Sequence, residues 1–259
     1  MISTNRIKLI RSLHQKKQRE KQGLFIIEGD KLVTEFLVSD AQVVCVVATP
    51  EWLADLPGKE LKNRIELIEA EPGELKKVSS LTSPQSALAL VRIPEYTYDI
   101  GSLRSEFSIA LESVQDPGNL GTIIRIAAWH GIRNIFCSHD CVDIFNSKVI
   151  QASMGAVLHV QTHYTDLAEL LTMFRRSEIA VYAASLDGES VYTADLEQGA
   201  IIIFGNESRG VTPGLTRFVN SELTIPSFGK TGVGIDSLNV AMSAAIICSE
   251  FRRRQVSGL

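Results

Sequence analysis

FSIALESVQDPGNLGTIIRIAAWHGIRNIFC, residues 107–137, contains a strand, a turn, a helix and a second strand in close succession. FSIALESV (107–114) is apolar and strand-like. Asp116-Pro117-Gly118-Asn119 forces a turn, and Asn119 is a residue type that caps helices. The spacing that follows predicts a helix over 120–131 and a strand near 134–138. Downstream, strands are predicted near 156–161, 179–184, 200–204 and 222–225, with helices near 146–154, 165–176, 212–219 and 238–254. This alternation predicts an α/β unit with a mostly parallel sheet covered on both faces.

Upstream, a smaller α/β unit is expected. Ser3, Thr4 and Asn5 are candidate caps for a first helix that carries Ile7, Ile10 and Leu13 at helical spacing. LFIIEG (24–29) leads into a helix near 30–38, and VVCVVA (43–48) and SALALV (86–91) read as strands. Glu71-Pro72 opens another helix, because a proline at an early helical position loses no bond. RIPEYTYDIGSLRSE (92–106) has no period and contains Pro94 and Gly101, so the domain boundary falls there.

Composition excludes several classes. The chain has 259 residues, of which 45% are hydrophobic and 22% charged. Those values exclude collagen, a mucin stalk and a largely disordered chain. Mean hydropathy is +0.10, and no apolar run approaches the ~18 residues of a membrane span. The segment 1–21 has no apolar core of the signal-peptide kind. The four cysteines (Cys45, Cys137, Cys141, Cys248) form no disulfide framework. The expectation is a soluble, reduced, cytoplasmic protein.

Net charge is −4, but it is unevenly spread. Residues 1–22 hold seven cations (Arg6, Lys8, Arg11, Lys16, Lys17, Arg19, Lys21) against Glu20, a local +6 that leaves −10 on the remainder. Such a segment is either a solvated helix face or a local polyanion contact.

Three segments of the second half are over-specified for packing, and each follows a strand, at the end where open α/β sheets bind ligands. In the first, Arg125 interrupts an otherwise apolar helix (Ile123, Ile124, Ile126, Ala127). Because an unpaired buried charge is costly, a guanidinium there either pairs, with Glu112 or Asp116, or faces a ligand. In the second, IIIFGNESRG (201–210), Gly205 and Gly210 bracket Asn206-Glu207-Ser208-Arg209. It is neither a P-loop nor a GxGxxG turn, and the absence of GxGxxG after any predicted strand makes a third reading, a Rossmann-type dehydrogenase, remote. In the third, LTIPSFGKTGVGIDSLNVAMSAA (223–245), a glycine-rich loop precedes a helix of small residues, with Ser237 and Asn239 both able to cap it. Cys137-x-His139-x-Cys141 lacks a second ligand pair, so no metal site is expected. His14, His130, His159 and His163 complete no Ser-His-Asp arrangement.

N-L-G-x-x-x-R (119–125), F-G-N-E-x-x-G (204–210) and I-P…S-L-N-V-A (225–241) occur in this order. Together they resemble the three motifs of the SpoU, or TrmH-like, family of S-adenosylmethionine-dependent RNA 2′-O-ribose methyltransferases. The resemblance covers about 107–254. Segments 5–29 and 83–91 resemble the family's N-terminal RNA substrate-binding domain. The implied layout is that domain over 1–98 and a methyltransferase domain over 106–259. The resemblance also implies a C-terminal trefoil knot that binds S-adenosylmethionine, and a homodimer that completes the site. Spacing alone shows no knot, and base rates run against one.

By position, Gly205, Ile225, Pro226, Leu238 and Asn239 match the family's cofactor-contacting residues. Asn119, Arg125, Glu207, Ser237 and Asn239 match the polar residues around the reacting ribose. Arg125 is expected to stabilise the developing alkoxide rather than act as a base, since a guanidinium does not readily give up its proton. Asn119 is expected to orient the ribose or Arg125, and Glu207 to hold Arg125 or an RNA hydroxyl. The basic residues Arg6, Lys8, Arg11, Lys16, Lys17 and Arg19 then lie along RNA phosphate, with Arg252, Arg253 and Arg254 adding a basic tail. Ribosomal RNA is favoured over tRNA, and neither DNA nor a membrane is expected. The 227–236 loop is longer than in many relatives, and Asn206 stands where many carry a small residue. A non-catalytic RNA-binding or ribosome-assembly factor of the same fold is the rival reading, opposed by the presence of every polar motif residue.

Overall fold

The structure is a computed structural model that describes residues 2–56, 65–229 and 237–257. It divides into two compact units: Met1–Glu95 with Asp143–Leu158, and Tyr96–Val142 with His159–Leu259.

The first unit opens with α1 (Thr4–Ser12) and α2 (Lys16–Gln22). These are two helices where the sequence predicted one. Ser3 Oγ caps the first by accepting from Arg6 N. The break is stabilised by Arg19, whose Nη1 donates to the carbonyls of Leu13 and His14 at 2.9 and 3.0 Å. There follow β1 (Leu24–Glu28), α3 (Asp30–Val38), β2 (Val43–Ala48), α4 (Pro50–Ala54), β3 (Glu66–Glu69), α5 (Pro72–Val78) and β4 (Ala87–Arg92). The sheet order is β1-β4-β2-β3, with only the β2–β3 pair parallel. One face buries Ile10, Leu13, Ile26, Val47, Leu75 and Leu90. Elsewhere in the unit Phe25 meets Phe36 and Phe145, with ring centroids 6.2 and 4.6 Å apart.

The second unit begins with α6 (Ile100–Leu103), β5 (Phe107–Leu111), α7 (Pro117–Trp129) and β6 (Asn134–Cys137). The chain then returns to the first unit for α8 (Ser147–Ser153), where Gln151 Nε2 donates to Glu28 O at 2.7 Å. The second unit resumes with β7 (Gln161–Tyr164), α9 (Leu167–Arg176), β8 (Ala180–Ser190), β9 (Ala200–Phe204), α10 (Pro213–Thr216), β10 (Ser221–Thr224) and α11 (Val240–Ser257). The strand predicted at 156–161 is a 3-10 turn, Ala156–His159, closed by Leu158 N on Gly155 O. The strand itself starts at Gln161, where the ladder to β6 begins.

This six-stranded sheet runs β10-β8-β9-β5-β6-β7, with every pair parallel. Its central strands β5 and β9 are buried along their whole length, as a parallel sheet covered on both faces requires. Leu170, Leu171 and Phe174 of α9 pack with Ala110, Val181, Ile201 and Ile203. Phe251 of α11 stacks on Phe107 (4.1 Å) and meets Tyr182 edge-on.

Helices α7 and α11 run side by side in the same direction. Asn239 bonds Asn119 near their starts, and Arg252 Nε donates to His130 O near their ends. The three C-terminal arginines are therefore not a loose basic tail. Arg252 binds the carbonyls of His130 and Gly131, Arg253 pairs with Glu250, and Arg254 pairs with Glu250 and binds the carbonyls of Val191 and Ala194. Among the described residues no helix is long and apolar enough to cross a membrane.

Candidate functional site

Strand order places the site. From β5 the chain leaves toward β6 on one side, and from β9 it leaves toward β10 on the other. The two strands are neighbours, so their carboxyl ends flank a switch point of the kind that binds ligands in open α/β sheets.

The loop after β5 is built by Asp116, which caps α7 by accepting from Asn119 N at 2.8 Å. That cap leaves the Asn119 side chain free to face outward. Its Nδ2 donates to Glu207 Oε1 at 2.7 Å, and its Oδ1 accepts from Asn239 Nδ2 at 2.9 Å. Asn239 is in turn the cap of α11, its Oδ1 accepting from Ala241 N at 2.9 Å. One residue from each of the three motifs thus joins a single relay.

The relay has a fixed direction. A backbone N–H only donates, so Asn239 must present oxygen to α11 and nitrogen to Asn119. Asn119 must then present nitrogen to Glu207, whose ionised carboxylate only accepts. Among the described residues the second Glu207 oxygen has no partner, and Glu207 is exposed. The relay ends on an acceptor open to a hydroxyl group.

The loop after β9 turns tightly. Gly210 N donates to Asn206 O at 2.8 Å, and Gly210 is left-handed at φ 65°. A side chain at Gly205 would stand 2.1 Å from the Gly210 backbone, so the glycine is required by the loop's own closure. Glu112 ties the same loop to β5, accepting from Thr212 N and Oγ1 at 2.8 and 2.6 Å.

Two adjoining clefts of about 470 and 530 Å³ open here. The first is lined by Gly205, Glu207, Arg209, Asp187, Ser237 and Leu238, among others. The second is lined by Ile225, Pro226, Phe228 and Ile247, and it shares Ser185, Leu186, Ser237, Leu238 and Ser243 with the first. Both volumes suit a nucleoside-sized ligand. Gly205, Ile225, Pro226, Leu238 and Ser237 therefore come together, and Asn119, Glu207 and Asn239 adjoin them. Ser237 lines the clefts but does not cap α11, a role taken by Asn239. The 184–187 wall was not singled out from sequence. Of the long 227–236 loop, residues 230–236 lie outside the described residues, and Gly232 and Gly234 with them.

Arg125 makes no ion pair with Glu112 or Asp116 among the described residues. It is exposed, not buried in the apolar helix, because it lies on the face of α7 that also carries Thr122 and Trp129. Glu112 is engaged by Thr212, and Asp116 by Asn119 N. Among the described residues Arg125 does not pair with Glu207 either.

The Cys137–Cys141 segment is structural. Cys141 Sγ accepts from Val114 N and donates to Leu111 O, both at 3.3 Å. Among the described residues no three His, Cys, Asp or Glu side chains are placed to share a metal ion.

In the first unit, Lys8, Arg11, Lys16 and Lys17 are exposed, and Arg6 pairs with Glu66 at 2.5 Å. Arg19, expected along RNA phosphate, differs from its basic neighbours. It is only 3% exposed and is held by Asp143 and two backbone carbonyls, so its guanidinium cannot lie along a phosphate.

The SpoU rRNA Methylase family model matches residues 106–249, and the MRM3-like substrate binding domain matches 4–89. The chain is 29% identical over 248 residues to the 23S rRNA (guanosine(2553)-2′-O)-methyltransferase RlmP of Bacillus subtilis, covering 95% of this chain and 96% of that one. Among solved structures it superposes on a TrmH-family protein from Porphyromonas gingivalis with TM-score 0.88 and 38% identity, covering 98% and 99% of the two chains. It also superposes on the AdoMet-bound rRNA methyltransferase of Sinorhizobium meliloti with TM-score 0.85 and 26% identity, covering 98% and 97%. Three motif residues meeting at the switch point of a parallel sheet, with matches over both units, make this chain a member of the SpoU family of rRNA methylases.

Proposed function

We propose that this chain transfers a methyl group from S-adenosylmethionine to a ribose 2′-OH of ribosomal RNA. The observation that carries the reading is the Asn239–Asn119–Glu207 relay beside the two clefts.

The clefts suit the cofactor. The acids Asp187, Glu207 and Glu222 line the first against one cation, Arg209, which favours a ligand bearing a sulfonium and an ammonium. Ile225, Pro226, Leu238 and Leu186 offer apolar surface for an adenosine, and the Gly205 backbone forms part of the wall. When bound, the sulfonium supplies an activated methyl group. The protein's part is alignment and charge. Glu207 accepts from a ribose hydroxyl through its second oxygen. Asn119 holds that carboxylate in place. Arg125 stabilises the negative charge that develops on the attacking oxygen.

Arg125 reaches a ribose in a homodimer. Its face of α7 carries Trp129, 87% exposed, and α11 beside it carries Met242, 61% exposed. Large apolar side chains left in water on adjoining helices are what a second copy covers. The trefoil knot and a cytoplasmic location belong to the same reading. The ribosomal substrate is supported by relatives matched over both units, and by Lys8, Arg11, Lys16 and Lys17 on the first unit. The test is transfer of labelled methyl from S-adenosylmethionine to ribosomal RNA lacking the modification, followed by mapping of the 2′-O-methyl. Absence of transfer by the folded dimer would return the assembly-factor reading.

A further inference from the structure

Ser113, in the loop after β5, has a left-handed backbone at φ 56°. A serine adopts that conformation uncommonly, and it persists only where the surroundings over-determine it. Here they do. Ser113 N donates to Ser138 Oγ at 2.9 Å, and Ser113 Oγ donates to Asp140 Oδ2 at 2.5 Å. Ser138 Oγ donates to Asp140 Oδ1 at 2.5 Å, closing a ring. A carboxylate is acceptor-only, so both hydroxyls must point at Asp140, which leaves the Ser138 oxygen to receive the Ser113 N–H.

The ring aims the Ser113 carbonyl at the motif loop. Ser113 O accepts from Asn206 Nδ2 at 3.0 Å, while Asn206 Oδ1 accepts from Ser208 N at 3.0 Å. With Asn206 O closing the turn on Gly210 N, the conformation of the segment that carries Glu207 depends on Asn206. Glu207 is thus fixed from one side by Asn119 and from the other through Asn206, Ser113 and Asp140.

We propose that Asp140, which lies outside all three motifs, is a positioning residue for methyl transfer: it holds Ser113 left-handed and thereby sets the Asn206–Glu207 turn. The Ser113 and Ser138 hydroxyls hold the Asp140 carboxyl below its ordinary range, with the charge of Arg209 adding to the effect, so the ring is intact at neutral pH. The inference rests on reading Asn119, Glu207 and Asn239 as the ribose site.

The test compares Asp140→Ala, Asp140→Asn and the double variant Asp140→Ala/Ser113→Gly in the full chain. It reads kcat, KM for RNA, the Kd of S-adenosylmethionine by titration calorimetry, and amide hydrogen exchange over 111–116 and 204–211. Asp140→Ala is expected to lower kcat by about 100-fold, with KM for RNA changed less, and to speed exchange over 204–211. Asp140→Asn, which keeps one acceptor, falls between. Glycine takes a positive φ without support, so Ser113→Gly should restore most of the turnover and protection lost in Asp140→Ala. Wild-type kcat or wild-type exchange over 204–211 in Asp140→Ala overturns the proposal, as does failure of Ser113→Gly to restore either. Asn119→Ala is run in parallel. If it turns over like wild type, the reading of the ribose site fails, while the exchange data still decide whether Asp140 sets the turn.

Discussion

Asn119 and Glu207, 88 positions apart in sequence, are joined by a 2.7 Å hydrogen bond from amide nitrogen to carboxylate oxygen. The bond spans the switch point of the sheet, because Asn119 follows β5 and Glu207 follows β9. Its direction is dictated from the α11 cap through Asn239, so Asn119 serves as donor to Glu207 and as acceptor from Asn239.

Asn119→Asp removes the donor and sets a second carboxylate against Glu207. Turnover should fall by at least ~10²-fold, the scale of losing one oriented donor. The Kd of S-adenosylmethionine should stay within about twofold, since Asn119 does not line either cleft. Steady-state kinetics with titration calorimetry separate the two effects.

Arg125→Lys should also lower turnover, because an ammonium lacks the planar fork of donors. Folding stability should change by less than about 0.5 kcal/mol, since the side chain is exposed. Thermal melting and methyl transfer on the same sample are the measurements. Near-full activity in the lysine variant would remove the guanidinium from the mechanism.

Arg19 and Lys17 are near neighbours with opposite expected phenotypes. Arg19→Ala leaves Asp143 without its cation in a protected site and should destabilise the first unit by about 3–5 kcal/mol. Lys17→Ala should leave the melting temperature unchanged, weaken RNA binding and reduce the salt slope by about one. Denaturant unfolding and salt-dependent RNA binding test the pair.

Gly205→Ala places a methyl group against the backbone of Gly210 and Val211. Backbone has no rotamer with which to yield, so the loop must move, at a cost of roughly 1–3 kcal/mol. Binding of S-adenosylmethionine should weaken along with stability. Calorimetry on the folded variant is the check.

Acid stability should depend on Glu250. Arg253 and Arg254 hold its carboxyl down at about 2, against 4.5 for a free one. Its contribution to stability is fully present above pH 4.5 and is lost as pH falls toward 2. Glu250→Gln should flatten the stability profile across that window in pH-dependent denaturation.

The parallel sheet was readable from sequence because its central strand β9 is a continuous apolar run, Ala200–Phe204, bounded by turn residues. The relay was foreshadowed as three separate polar motifs. Which of them bond one another was not readable, because Asn119 is as well suited to capping as to bonding Glu207, and Asp116 takes the cap. The exposure of Arg125 is not legible in its apolar surroundings, since a helix rich in Ile and Ala still has an outward face when its buried residues form one stripe. Arg19 looked like its basic neighbours, and nothing local betrays an acid 124 positions away at Asp143. The excursion 143–158 into the first unit carries no signal of its own, because a helix sequence does not say which unit covers its apolar face. Asp140 and Ser113 escaped notice for a similar reason. A serine carries no mark of a left-handed backbone, and its props come from the loop after a different strand.

On the proposed reading this chain methylates a ribose 2′-OH through the Asn119–Glu207 site. Its most direct test is transfer of labelled methyl from S-adenosylmethionine to unmodified ribosomal RNA, wild type beside Asn119→Asp, with the product digested to nucleosides. Label is expected in one 2′-O-methylnucleoside with wild type, and at about 1% of that rate or less with the variant. Label on a base, or equal rates for the two proteins, would contradict it.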